Sequence, residues 1–385
     1  MEHPVFPAVE ALTGEYTKLW IALCMRETRS DDFAALNAQT DALEAFGLAR
    51  GLRPERISYP AAGDALILTL PARGVPEDAA PVALLGHMDT VHAKGVFGDP
   101  PVQRAAGRLC GPGVCDMKGG VVMGLLAMDA LRQSGLPHRE IRLILNPDEE
   151  SGEHIGMEAR RRLFEDNTRG CVAAVNCESG VEGHLTVGRK GVLRVAVDVE
   201  GVGAHAGNEY FKGASAVREA AKKLLELERR SVEGGLTFNC GRIEGGTVVN
   251  IVPTACHMEF DIRFLTRAML DEALEIVKTV TETSYVPGTR ASFRVLHLLP
   301  AMEKTEGNLA LFGRIAAFAA KYGLETFSPL VRGGGSDSAF PAAIGVPTVC
   351  SMGVTGDGVH TVREWAAPES LPRRAKILAG VLSEL

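Results

Sequence analysis

Three short runs of the chain are apolar almost from end to end: "PVALLG", "IRLILN" and "CVAAVN". None alternates with polar residues, so both faces of each strand must be covered. Strands of that kind belong in a largely parallel sheet with helices on either side. Stretches of helical spacing precede them, over 9–26 and over 31–49 with Ser30 as candidate N-cap, and lie between them, over 121–133 and near 155–165. "ERISY" and "DALILTL" read as further strands, punctuated by Pro60, Gly63 and Pro71. Short strands alternating with helices predict an α/β fold.

The texture changes near Gly188. "GVLRVAVDVEG" alternates apolar and polar residues, the mark of a strand with one wet face. A helix over 214–230 follows, then "LTFNCGRIEGG", "CHMEFDIRFL", a helix over 268–283 and "ASFRVLHLL". This βαββαβ order predicts a small α+β sandwich of the ferredoxin-like kind. After Pro300 the first texture resumes, with helices over 307–322 and 369–383 and the strand "PTVCSMG". The expected organisation is a catalytic domain made from 1–188 and 300–385, interrupted by an inserted domain at 189–299. The 385 residues suffice for two separate cores.

Bulk properties narrow the function. The net charge of −7 and the absence of a basic stripe argue against nucleic-acid or anionic-membrane partners. The eight cysteines form no CxxC pair and sit mostly in apolar runs, so they are expected to be reduced and buried, as in a cytoplasmic protein. The N-terminal stretch "MEHPVFPAVEALTGEY" has no basic segment followed by an apolar block. No apolar run reaches the roughly 18 residues of a membrane span.

Functional groups in α/β sheets gather beyond the carboxyl ends of the strands. Here those ends carry His87 and Asp89 after "VALLG", Glu149 and Glu150 after "LILNP", and Glu178 after "AAVNC". Asp116 sits in "GPGVCDMKGG" and His360 in "GDGVHTV". Each alone has an ordinary reading: a packed histidine, a turn residue, or, for Asp116, a helix N-cap with Gly119 and Gly120 packed close. Their coincidence at several strand ends is better explained by one shared role. Imidazoles and carboxylates suit zinc and similar divalent ions. Asp89, two residues after His87, is placed to take the other imidazole N–H and fix its tautomer. A pair of ions about 3.5–4 Å apart needs a bridging carboxylate.

"GHMDTV", "GPGVCDMKGG", "NPDEESG", "CESG", "GAHAG" and "GGGSD" resemble, in order and spacing, the motifs of the M20 family of metallopeptidases and amidohydrolases. The chain looks most like its glutamate carboxypeptidase-like members, close to acetylornithine and succinyl-diaminopimelate deacylases. The resemblance implies a zinc-exopeptidase-type catalytic domain holding two Zn(2+), with Co or Mn as substitutes. It makes Asp116 the bridging ligand, His87 and Glu178 the rest of one site, and Glu150 with His360 the other. Glu149 is implied as general base, with Asp89 orienting His87. The inserted domain is implied to mediate a homodimer, with His205 reaching the partner's site to stabilise an oxyanion. Asn250 and Arg263 match positions that face substrate, Arg263 to hold a carboxylate. The backbone N–H groups of Gly333, Gly334 and Gly335 could serve the same carboxylate. For each of these four motifs the residues alone also allow a local packing, salt-bridge or turn role.

Glu178 resembles the ligand of carboxypeptidases and deacylases, since amino- and dipeptidase members tend to use Asp there. The amidohydrolase branch with a Cys ligand at the Asp116 position differs. Some glutamate-selective relatives carry an Arg just before the chain returns to the catalytic domain; this one reads "HLLPAMEK". Leu298 and Leu299 there suggest an apolar or smaller side chain. The expected activity is hydrolysis of the amide of a peptide or N-acyl amino acid, releasing a C-terminal amino acid, with a deacylase or di/tripeptidase as the alternative. A silent metal-stabilised binding protein would be expected to lack a ligand or the base, and all are present. A nucleotide-binding protein would need Gly-x-Gly-x-x-Gly or a Walker lysine, and neither occurs.

Overall fold

The computed structural model describes residues 2–385. The chain forms two compact units, one from the residues up to Gly188 with Lys304–Val331 and Ser336–Leu385, the other from Arg189–Glu303 with Arg332–Gly335. The second is an insertion in the sequence of the first. The four residues Arg332–Gly335 pack with the second unit, although their sequence neighbours on both sides belong to the first.

The first unit is built on a six-stranded sheet. Its spatial order is Arg53–Ile57, Ala65–Leu70, Ile141–Asn146, Val82–His87, Ala173–Asn176 and Thr348–Val349. The last four strands run parallel, and the two at the other edge are antiparallel. Val82–His87 is buried along its whole length, as expected for a strand covered on both faces. Because the central strands are parallel, their carboxyl ends share one edge: His87 lies opposite Asn146, and Leu85 opposite Asn176. Pro147–Glu150 and Cys177–Glu178 therefore leave the sheet beside His87.

Helix Lys118–Ser134 is buried from Lys118 to Leu131. Its first turn lies too close to its surroundings for any side chain at two positions. A Cβ on Gly120 would run into the Cys177 carbonyl oxygen, and one on Gly119 into the Val114 carbonyl and Trp20. Those contacts press the segment carrying Asp116 against the segment carrying Glu178. The N-cap is Met117, with no side-chain cap, so the capping role open to Asp116 is not what it does. Ser30, expected to cap the second helix, does not; Asp32 caps Phe33–Leu48 through Ala35 N–H, and the Ser30 hydroxyl goes to Asp89 instead. Among the described residues no helix is long and apolar enough to cross a membrane. All eight cysteines are free, six of them buried.

The second unit is a four-stranded antiparallel sheet in the order Thr237–Gly245, Ala255–Phe264, Gly191–Glu200, Arg290–Leu299. Helices Ala216–Glu228 and Arg267–Glu282 pack on one face, giving the ferredoxin-like βαββαβ arrangement. The strand Ala255–Phe264 shows the pleat plainly: Cys256, Met258, Phe260, Ile262 and Phe264 point into the core, and His257, Glu259, Asp261 and Arg263 point away. Leu299 is buried beside Gly335, and Leu298 packs against this core. Leu299 serves the interior of the unit, while Leu298 is only half-buried against it.

Candidate active site

The turns that leave the sheet are set by asparagines. Asn146 Oδ1 accepts the Asp148 N–H at 3.0 Å, and Asn176 Oδ1 accepts the Glu178 N–H at 3.1 Å. Each is a side chain folding back on the backbone two residues on, a device that ends a strand sharply. Asp148 then closes the next turn, its carboxylate accepting from Ser151 Oγ and from the N–H groups of His154 and Ile155. Asp148 is fully buried and shapes the loop that presents its two neighbours.

Six of the residues expected from the sequence converge in the first unit. Asp116 Oδ1 lies 3.5 Å from His87 Nε2, and its other oxygen lies 3.3 Å from His360 Nε2. Glu178 Oε1 is 3.8 Å from His87 Nε2, and Glu150 Oε2 is 3.1 Å from His360 Nε2. Ligand atoms of His87, Asp116 and Glu150, and of His87, Glu149 and Glu178, form two sets each lying within 4.8 Å. Asp116 thus has one oxygen facing each imidazole. Its Oδ1 is buried and has no hydrogen-bond partner. An orphaned buried carboxylate oxygen is costly, and four acidic groups packed around two imidazoles carry excess negative charge. Both features fit a divalent cation, and the donor set of imidazole and carboxylate is of the right kind.

The protonation of these groups reflects the same crowding. Burial draws the His87 imidazole down, but Asp116 and Asp89 hold it well above its ordinary value. His360, bonded to Asp116 and Glu150, is raised to about 11. Burial pushes Glu149 up to about 7 against the pull of the Arg160 guanidinium. Burial also raises Glu150, with His360 opposing.

Asp89 is completely buried behind the cluster. Its carboxylate lies 3.3 Å from His87 Nδ1 and accepts from Ser30 Oγ at 2.7 Å. It also accepts the N–H groups of Glu149 and Glu150, each at 3.0 Å. One carboxylate therefore ties the histidine of one strand to the acidic turn of the next. A second buried carboxylate, Glu364, does the same for the loops of Asp116 and His360. Its two oxygens accept from Gly113, Cys115 and Asp116 N–H at 3.1, 2.8 and 3.0 Å and pair with His92 at 2.9 Å. Glu364 lies four residues beyond His360, so the histidine's loop is clamped to the aspartate's.

The remaining expected residues lie in the second unit. His205 is exposed, and its Nδ1 accepts from Gly207 and Asn208 N–H, both at 3.1 Å. In the neutral ring that leaves the proton on Nε2. Asn250 is its neighbour, its carbonyl accepting Ala206 N–H, with His205 bridging to Ile251. Arg263 is paired with Asp261 on the outer face of the sheet. The carbonyls of Gly334 and Gly335 accept from Arg189.

The comparisons with known proteins agree with this geometry. The model of Peptidase family M20/M25/M40 matches residues 83–384. The chain belongs to this family. Among curated relatives of this M20 chain, carboxypeptidase G2 from a Pseudomonas species is 26% identical over 84% of this chain and 77% of its own. A putative succinyl-diaminopimelate desuccinylase from Mycobacterium tuberculosis is 28% identical over 70% of this chain and 72% of its own. Among solved structures, the aminopeptidase PepT from Bacillus cereus superposes with a TM-score of 0.80 at 24% identity, covering 97% of this chain and 98% of that one. Human carnosine dipeptidase 1 gives 0.68 at 14%, covering 99% and 98%. The structural likenesses speak to fold. Family and relatives together make the chain a hydrolase of amide bonds, of a metallopeptidase type that binds divalent metal.

Several residues that organise the site were not assigned to it from the sequence: Asn146, Arg160, Asn176, Asp337 and Glu364, and Ser30, which was expected only as a helix cap. Two of them had a local signal. An Asn ending an apolar strand two residues before an acid occurs in both "LILNPD" and "AAVNCE".

Proposed function

We propose that this M20 chain is a dinuclear zinc hydrolase that releases a C-terminal amino acid from a peptide or N-acyl amino acid. The observation that carries the reading is Asp116, whose oxygens face His87 and His360 separately while one of them lacks any hydrogen bond. In this reading His87, Asp116 and Glu178 hold one ion, and Asp116, Glu150 and His360 the other. When bound, such ions polarise the scissile carbonyl and lower the pKa of an attacking water.

The chain's own groups do the rest. Glu149 takes the proton of the attacking water and passes it to the leaving amine; a carboxylate raised to about 7 is suited to both steps near neutral pH. Asp89 holds His87 in the tautomer that presents Nε2, and through two N–H bonds it keeps Glu149 and Glu150 in register. His205, with its proton on Nε2, serves as a donor to the oxyanion, supplied by the second protomer of a homodimer formed through 189–299. Phe211 and Val249, almost wholly exposed in the second unit, support a surface that is covered in solution. Asn250, Arg263 and the Gly333–Gly335 loop bind the substrate carboxylate, Arg263 exchanging Asp261 for it. Cytoplasmic residence fits the free cysteines.

Purified protein with added zinc, assayed against N-acyl-glutamate, N-acyl-aspartate and N-acyl-leucine, should release amino acid from at least one. No release from any of them with metal bound would overturn the reading. Glu149→Ala should abolish turnover at near-normal metal content. Equal loss of metal would mean that the roles of Glu149 and Glu150 are exchanged. The deacylase and di/tripeptidase alternatives are separated by the same panel extended to N-acetyl and N-succinyl substrates and tripeptides.

A further inference from the structure

Arg160 is one of the most deeply buried charges in the first unit, its side chain 3% exposed. It reaches from helix Met157–Thr168 and divides its guanidinium between two acids. Nη2 donates to Glu149 Oε1 at 2.9 Å, and Nε donates to Asp337 Oδ1 at 2.6 Å. Asp337, itself 2% exposed, takes Asn146 Nδ2 on its other oxygen at 2.9 Å. Asn146 in turn holds Asp148 N–H. The chain of contacts runs from the Glu149 carboxylate through Arg160, Asp337 and Asn146 and returns to the backbone one residue before Glu149. It is a closed ring around the acidic turn.

We infer that Arg160, steadied by Asp337, is a positioning residue for Glu149. It engages Oε1, which restricts the carboxylate and leaves Oε2 as the oxygen that carries the proton. The inference rests on the reading of Glu149 as general base and deepens it. A buried ion pair is a poor source of stability, since apolar groups of similar volume often do as well. A planar fork with two fixed donors is, by contrast, a good device for orientation. Asp337 shares the guanidinium, so Glu149 is held in place without being the sole counter-ion of a buried cation. Phe340, with Arg160 5.8 Å above its ring, closes the far side.

The test uses the neutral pair Arg160→Met/Asp337→Asn, which removes ring and charge together. It should fold with a melting temperature near that of the parent, bind the same amount of zinc and keep its KM. Its kcat should fall about 100-fold, the scale of a misplaced catalytic group. In a Glu149→Asp background, where the shorter acid no longer reaches Arg160, the same pair should change kcat by less than about 3-fold. A merely structural role would lower both backgrounds alike, and that result overturns the inference. So does a wild-type kcat in the pair variant, or a loss of activity matched by a loss of zinc. Should the pair variant not fold, Arg160→Lys decides: it keeps a cation beside Asp337 but cannot hold both acids. It is expected to lower kcat at unchanged KM, and a wild-type kcat refutes. Glu149→Ala with retained turnover would instead sink the assignment of the base, whatever Arg160 does.

Discussion

Glu364→Gln probes how the site is held together. The Glu364 carboxylate is 1% exposed and accepts three backbone N–H groups, at 2.8, 3.0 and 3.1 Å, as well as pairing with His92. Glutamine keeps one oxygen, which can stay with Cys115 and Asp116. Its NH2 must then face Gly113 N–H and His92. His92 can adopt the tautomer that accepts, but Gly113 N–H cannot, and one buried donor is left unmet at about 1–3 kcal/mol. The two surviving bonds lose their charge assistance, roughly half their strength. A total near 3 kcal/mol lowers the melting temperature by about 6–12 °C at the usual 2–4 °C per kcal/mol for domains of this order of size. The Asp116 backbone is also released from its anchor, and loss of such a supporting contact typically weakens metal binding about 10–100-fold. Calorimetric melting of the metal-free protein reads the first effect, and competition with a chromogenic zinc chelator reads the second. Wild-type zinc affinity with a melting shift below about 1 °C, less than a tenth of the upper expectation, would refute the clamp.

Other predictions are independent of it. Zinc should raise the melting temperature more at pH 8 than at pH 6. His360 is raised to about 11, so its contribution to the metal-free fold is complete below its ordinary value and fades as pH rises toward 11. Glu149, raised to about 7, costs the metal-free fold more as pH climbs from the ordinary carboxylate range through 7. With both imidazoles as ligands, as proposed, metal needs them unprotonated, so its binding strengthens over that interval, and a zinc shift that is flat or shrinking with pH refutes this. Gly120→Ala places a methyl on the Cys177 carbonyl and should cost about 3 kcal/mol, the upper end for overpacking, read as a lowered urea midpoint. Asp148→Ala strips acceptors from Ser151, His154 and Ile155 and should cost about 2–4 kcal/mol in thermal melts. Assayed well below its melting temperature it should also lose part of the parent kcat, because the loop it shapes presents Glu149, but less than Glu149→Ala loses.

The parts of the site that were legible in the sequence are those whose signal is local. His87, Glu149, Glu150 and Glu178 each lie at or just beyond the end of a largely apolar strand, where a charged residue has no packing reason to be. The helix over 268–283 was expected within a residue of Arg267–Glu282 because its apolar spacing is undisturbed. What escaped is held across the fold. Arg160 looks like one of three arginines on a charged helix, and only the tertiary structure turns it, unlike Arg161 and Arg162, toward buried acids. Asp337 follows a run of three glycines whose local signal is a turn; the aspartate anchors Arg160 while the carbonyls of Gly334 and Gly335 bond to Arg189. Ser30 was a plausible cap by type, yet Asp32 won the position and freed Ser30 for Asp89.

The Glu364 clamp also has a consequence for how the protein is made. Its bond to Asp116 N–H spans 248 residues of sequence, and that to Gly113 spans 251. A ribosome that has finished the Asp116 loop must add the whole inserted unit before the acceptor for those N–H groups exists. His360 arrives in the same late segment. Until then the nascent chain carries His87, Asp116, Glu149, Glu150 and Glu178 without His360 and without the Glu364 clamp. Activity is therefore tied to completion: interrupted synthesis yields chains that have most of the fold's residues and no working hydrolase.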